Sequence, residues 1–316
     1  AIVQKVHHAA LDGVSALRLF NFLNNASADE PWRLDSRGRA LLLERQPDSL
    51  PLLWAATRRY LGRPRKMLGA AKLALGALRR VQWTITDWFR SQAYYDSGGW
   101  RATWAGEGGG VLLNQCPHQL DLLQWMFGMP ERVHAFCQVG KHHDIEVEDE
   151  VTAYLTYPGG ATGVFTTTTG EAPGTNRLEV ATDRGLLVYD TRHRYLELIR
   201  NEKTVTEAIA ENRGFEKPDS TVEKIRIPGE GRQHAGVLEN FARAIRGEAE
   251  LIAPAREGIH SVELANAMLY SSWRGNAVEL PISARGYAAQ LKKRIATSRR
   301  KLDATDRIDD DMANSF

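Results

Sequence analysis

The chain has 316 residues, 43% apolar and 25% charged, a balance that suits a globular protein with room for two ordinary domains. Its net charge of +2 gives no nucleic-acid signature, and no run of about 18 apolar residues offers a membrane span. Cys116 and Cys137 are the only cysteines. Two so far apart suit a reduced, cytoplasmic chain and give no metal-ligand spacing. The charge is unevenly spread. Pro51–Arg80 holds eight Lys/Arg and no Asp/Glu, whereas the end carries Asp303, Asp306, Asp309, Asp310 and Asp311.

In chain order, Ala1–Val6 reads as a short strand that begins in mid-pattern, as if cut from something longer. Val14, Leu17, Phe20 and Leu23 recur with a helical period. Residues 28–50 read as loop, Leu52–Tyr60 and Arg65–Leu78 as helices, the second basic and amphipathic. That basic stretch, 65–80, suits either a packed helix with a solvated face or a peripheral membrane contact. From Val81 aromatics are dense: Trp83, Trp88, Phe89, Tyr94, Tyr95, Trp100 and Trp104. A glycine run at Gly106 and Gly108–Gly110 precedes a helix around Gln119–Phe127, closed by Gly128 and Pro130. Val151–Tyr157 and Ala161–Thr168 flank a Pro-Gly-Gly turn; Arg177–Thr182 and Leu186–Tyr189 flank Asp183-Arg184-Gly185; Arg194–Ile199 and Thr204–Ala208 flank Asn201-Glu202-Lys203. These are hairpin signatures of one antiparallel sheet. Helices follow at Ala235–Arg246 and Arg256–Trp273, then a short strand at Val278–Ile282, a basic helix and an acidic, disordered tail. The expected class is α+β, an antiparallel sheet with packed helices, preceded by a mostly helical fragment. The expected divisions are residues 1–75, 76–283 and 284–316.

The strings TDWFRSQAYYDSGGWRATW, GEGGGVLLNQCPHQLDLLQWMFG, EVEDEVTAYL, TTGEAPGTNRLEV and VELANAMLYSSWRGNAVELP resemble the C-terminal domain of the Gfo/Idh/MocA family of NAD(P)-dependent sugar and cyclitol oxidoreductases. The resemblance covers about residues 75–282. It implies NAD or NADP as cofactor, no metal, a sugar or polyol substrate, and a homo-oligomer built through the antiparallel sheet. The family's site pairs an Asp with a His four residues later. Here the positions are Asn114 and His118. The resemblance makes His118 the base that takes a hydroxyl proton, a task suited to imidazole. Asn114 can hold a hydroxyl but cannot stabilise an imidazolium as a carboxylate would, and a continuous helix would set the two side by side. Trp100, Arg101 and Trp104 suit either a sugar-covering wall or the core. Asn176 and Arg177 suit either substrate hydroxyls or a turn. Asp121 reads as a first-turn acid at a helix N-terminus.

The cofactor half is the puzzle. A dinucleotide domain needs a strand, a G-x-G-x-x-G turn and a helix. Before Val81 the glycines are Gly13, Gly38, Gly62, Gly69 and Gly76, with no pair spaced by one residue. No complete Rossmann domain is therefore expected, nor activity of the chain alone. Glu216-Lys217-Pro218 matches the family's interdomain string but follows His118 instead of preceding it, and reads as a polar loop. At the other end, His7-His8-Ala9-Ala10-Leu11-Asp12-Gly13 resembles the HHxxxDG motif of the wax ester synthase/diacylglycerol acyltransferase family. That resemblance makes His8, beside His7, the base on an alcohol attacking an acyl-CoA. Asp12 would order the loop, and Gly13 would allow close backbone packing. It ends by about residue 75, so the chain reads as a chimera of two enzyme pieces. Acyl transfer and a non-catalytic oligomerisation module stand as the alternatives to a dehydrogenase.

Overall fold

The computed structural model describes residues 77–193, 195–211, 214–226 and 233–299. The elements expected before residue 77, the His7–Gly13 motif and the acidic tail lie outside these residues.

One strand organises the rest. β1 (Leu78–Ile85) alternates Val81, Trp83 and Ile85 inward with Gln82 and Thr84 outward, the period-two pattern of a sheet with one face on a core. It lies at the centre of a sheet of nine strands. On one side it pairs in parallel with β4 (Thr162–Thr168), which is followed by β3 (Glu148–Thr156), β2 (Arg132–Val139) and the two-residue β9 (Val278–Glu279). On the other side it pairs antiparallel with β5 (Asn176–Thr182), then β6 (Gly185–Asp190), β7 (Tyr195–Asn201) and β8 (Ser220–Arg226). The sheet is thus mostly antiparallel, and the β1–β4 pairing is parallel.

Between β1 and β2 run α1 (Gln92–Asp96), α2 (Val111–Asn114) and α3 (Pro117–Phe127). α4 (Val205–Glu211) and α5 (Gln233–Ile245) flank β8; α6 (Gly258–Arg274) precedes β9, and α7 (Ala284–Thr297) follows it. α6 packs on β2 and on α3. Leu120, Leu123, Met268 and Leu269 meet the inward side chains Trp83, Phe165, Val133 and Leu155 in one buried core.

Three expectations are corrected. Thr204–Ala208 is not the second strand of a hairpin: Val205–Glu211 is helical, and β7 takes β8 as its partner instead. The reason is a capping box: Thr204 Oγ1 accepts from Glu207 N at 3.0 Å, while Glu207 Oε2 accepts from Thr204 N at 2.8 Å. Leu78, placed at a helix end, is the first residue of β1. Asn114 and His118 do not share a continuous helix. α2 ends at Asn114 and α3 begins at Pro117, whose missing N–H breaks the ladder.

Candidate functional site

The site is built around the break between α2 and α3. Gly110 opens α2 because a Cβ there would overlap the carbonyl oxygen of Glu148. Underneath, the fully buried Glu148 carboxylate accepts from Gly110 N at 2.8 Å and Leu112 N at 3.2 Å through Oε1. Burial pushes this carboxyl up to about 7, against the pull of those backbone donors. Glu148 therefore locks the start of the short helix that carries Asn114.

Asn114 is held on every polar atom. Its amide N–H₂ donates to Glu107 Oε1, and its Oδ1 accepts from Tyr94 Oη at 3.2 Å and from Gln115 Nε2 at 2.9 Å. Glu107 Oε2 in turn accepts from Ala102 N at 2.8 Å. Tyr94 Oη accepts from Arg101 Nη1 at 2.6 Å. The Arg101 guanidinium lies against two rings, 4.3 Å from the Tyr94 centroid and 4.8 Å from that of Trp100. An aspartate at position 114 would set its carboxylate against that of Glu107, a like-charge contact. The amide suits this neighbourhood better than the acid does.

His118 stands half-buried in the first turn of α3, immediately past the break. Trp100 is 51% exposed, whereas Trp104 is only 7% exposed and packs edge-to-face on Trp273 at 5.6 Å. Of its two readings, Trp104 takes the core one. Asn176 accepts from the indole of buried Trp83 at 3.3 Å and hydrogen-bonds Asp87. Burial pushes the Asp87 carboxyl up, opposed by that Asn176 bond, and Asp87 Oδ1 and Tyr189 Oη are buried without partners among the described residues. Arg177 is engaged on the sheet with Glu179 at 2.9 Å and Asp190 at 3.4 Å. Asp121 lies beyond the first turn of α3 and accepts from Gln124 Nε2 at 3.1 Å. Glu216 and Lys217 are exposed in the loop before β8.

The structure thus gathers Trp100, Arg101 and Asn114 into one cluster beside the helix of His118, and puts Asn176 and Arg177 in other bonds. Tyr94, Glu107 and Gln115 belong to the cluster and were not singled out from sequence. Tyr94 was visible only as one aromatic among many, and Glu107 only as the charged member of a glycine run.

The glycine run 106–110 does not fit a dinucleotide. The donors at the start of α2 already face a buried carboxylate, so a phosphate there would meet like charge. Among the described residues no group of three His, Cys, Asp or Glu could hold a metal ion, and no helix is long and apolar enough to cross a membrane.

Residues 70–188 match the family model of the GFO/IDH/MocA C-terminal domain. A stretch of 69 residues is 45% identical to the trans-1,2-dihydrobenzene-1,2-diol dehydrogenase of Bos taurus, covering 21% of this chain and 19% of that enzyme. The fold is similar to that of the WlbA dehydrogenase from Bordetella pertussis, solved in complex with NADH and UDP-GlcNAcA. The identity is 25% and the TM-score 0.52, over 70% of this chain and 61% of that one. It is also similar in fold to a levoglucosan dehydrogenase solved with NADH and L-sorbose, at 16% identity and TM-score 0.56, over 72% of this chain and 65% of that one. The chain spans less than two thirds of the length of each of these proteins.

Proposed function

We propose that residues 76–283 form the substrate half of an NAD(P)-dependent dehydrogenase acting on a hydroxyl of a sugar or polyol. The observation that carries this reading is the hydrogen-bonded cluster Glu107–Asn114–Tyr94–Arg101, set at the start of the helix that bears His118. It offers fixed donors and acceptors for hydroxyls, and Trp100 supplies an exposed ring for a sugar face. His118 takes the hydroxyl proton, and the amide of Asn114 orients the hydroxyl without adding charge. Support comes from the dehydrogenases similar to this chain, of which two are solved with NADH. The described residues are assigned the binding, orientation and proton-accepting parts of the chemistry. The same reading makes the chain a cytoplasmic homo-oligomer joined through its open sheet face.

The test is a hybrid in which a family Rossmann domain replaces residues 1–75. It is expected to reduce NAD or NADP in the presence of a polyol, with His118→Ala lowering turnover roughly 100-fold or more. The unmodified chain is expected to show no saturable NAD(P) binding. Micromolar binding by the unmodified chain would overturn the cofactor part. A hybrid indifferent to His118→Ala would remove His118 as the base.

A further inference from the structure

The cluster contains a charge that has no counter-charge among the described residues. Arg101 is half-buried, its Nε donates to Ser97 O at 3.3 Å, and its Nη1 donates to Tyr94 Oη at 2.6 Å. Both acceptors are neutral. No carboxylate among the described residues forms an ion pair with it. Four arginines on or next to the sheet do meet acids, Arg79 with Asp183, Arg80 and Arg177 with Glu179, and Arg192 with Asp190, whereas Arg274 and Arg294 resemble Arg101 in bonding neutral acceptors beside aromatic rings. A guanidinium held against the rings of Tyr94 and Trp100 has lost part of its water. Such a charge is costly unless an anion meets it. Its stacking also fixes the plane of the fork, so the remaining N–H groups, those of Nη2 among them, point in a defined direction.

Glu107 is the nearby acid of the cluster, and it is committed elsewhere: one oxygen to Asn114, the other to the backbone N–H of Ala102. Among the described residues the guanidinium thus meets no acid, and it is joined to Asn114 through a single hydroxyl, that of Tyr94. One positive charge with planar, paired donors matches one carboxylate.

We propose that the substrate is a polyhydroxy compound carrying a carboxylate, a sugar acid, and that Arg101 receives that carboxylate while the Asn114–His118 region receives the hydroxyl to be oxidised. The Trp100 ring, its centroid 4.8 Å from the guanidinium, screens the pair from water and strengthens it. This inference rests on the polyol reading of the site and narrows it. Arg101 acts here in binding and specificity and takes no part in moving the proton.

The test uses the full 316-residue chain and two probes of equal ring size, D-glucuronate and D-glucose, titrated by isothermal calorimetry and ligand-observed NMR. Glucuronate is expected to bind at least about 10-fold more tightly, the order expected of a hydrogen bond to a charged group. Arg101→Gln is expected to abolish that preference, weakening glucuronate binding at least about 10-fold more than glucose binding. Arg101→Lys, which keeps the charge and the packed stem, is expected to keep part of the preference and serves if the Gln variant fails to fold. Equal affinity for the two sugars overturns the inference and leaves the polyol reading intact. A preference for glucuronate that survives Arg101→Gln overturns the assignment to Arg101. Binding of neither sugar overturns this inference together with the polyol reading.

Discussion

Glu148 is fully buried, with Oε1 bonded to two backbone donors and Oε2 without a partner among the described residues. Its ionised form is disfavoured inside the protein, and its pKa rises from an ordinary 4.5 to about 7. A carboxyl whose folded pKa is raised contributes stability that is whole below about 4.5 and is lost as pH climbs through about 7. Melting temperature is therefore expected to fall between pH 5 and pH 8. Glu148→Gln keeps the acceptor and removes the charge, so its melting curve is expected to flatten over that range and to lie at or above that of the native chain at pH 8. A parallel pH dependence in the two proteins would show that Glu148 is not the group responsible. Asn114 makes the opposite point about legibility. Its position four residues before His118 was plain in the sequence, but its surroundings were not. The contact with Glu107, which makes an amide the better residue, joins side chains that lie in a loop and a helix. The break at Pro117 was written in the sequence and outweighs the i, i+4 spacing, because a proline at the first position of a helix starts a new one.

The pairing of α6 with β2 rests on two serines. β9 covers β2 only at Arg132 and Val133. Beyond it, Ser271 Oγ accepts from Ala135 N at 3.0 Å and Ser272 Oγ accepts from Cys137 N at 3.0 Å. Ser271 also donates to Asn276 O at 2.7 Å, across the left-handed Gly275 that ends α6. Side chains of a helix thus take the place of a missing strand along a sheet edge. Ser271→Ala would leave the buried Ala135 N–H unbonded. It is expected to lower unfolding free energy by about 1–3 kcal/mol in urea titration; a loss within error would mean that water replaces the hydroxyl. The sequence shows α6 well, within two residues at its start and one at its end, but gives no sign that its serines cap an edge. Among the strands, β3 to β6 were legible from alternation between turn residues. β1 and β2 were passed over, although Val81, Trp83 and Ile85 alternate inward as clearly as any. No tight turn brackets either strand: the neighbours of β1 are distant in sequence, and β2 meets β3 across the longer loop 140–147. α4 was readable from Thr204-Val205-Thr206-Glu207, a capping box taken for strand residues.

At the scale of the molecule, one face of the sheet is covered by α3 and α6, and the other is open among the described residues. The register places Phe136, Thr152, Thr166, Thr84 and Arg177 in one row across that open face, with Tyr154, Val164 and Gln82 in the next. Phe136 is 60% exposed and Tyr154 49%. We propose that the homo-oligomer would form here, since a broad sheet face with exposed aromatics suits a self-complementary interface. Sedimentation at high micromolar concentration is expected to show a dimer or larger species. Phe136→Asp combined with Tyr154→Asp is expected to return it to monomer with its circular dichroism unchanged. A native chain that sediments as a monomer would remove the proposal. The sequence by itself determined the α+β class, the hairpins from β3 to β6, the helix that bears His118, and the likeness to dehydrogenases. Each of these is a local pattern of periodicity, turn residues or motif. Only the tertiary structure decided that β1 runs parallel to β4 at the centre of the sheet, that Glu107 answers Asn114, that Trp104 is core while Trp100 is exposed, and that Arg101 meets no acid among the described residues. Those facts depend on which distant residues share a space, and pairing across long chain separations leaves no local period to read.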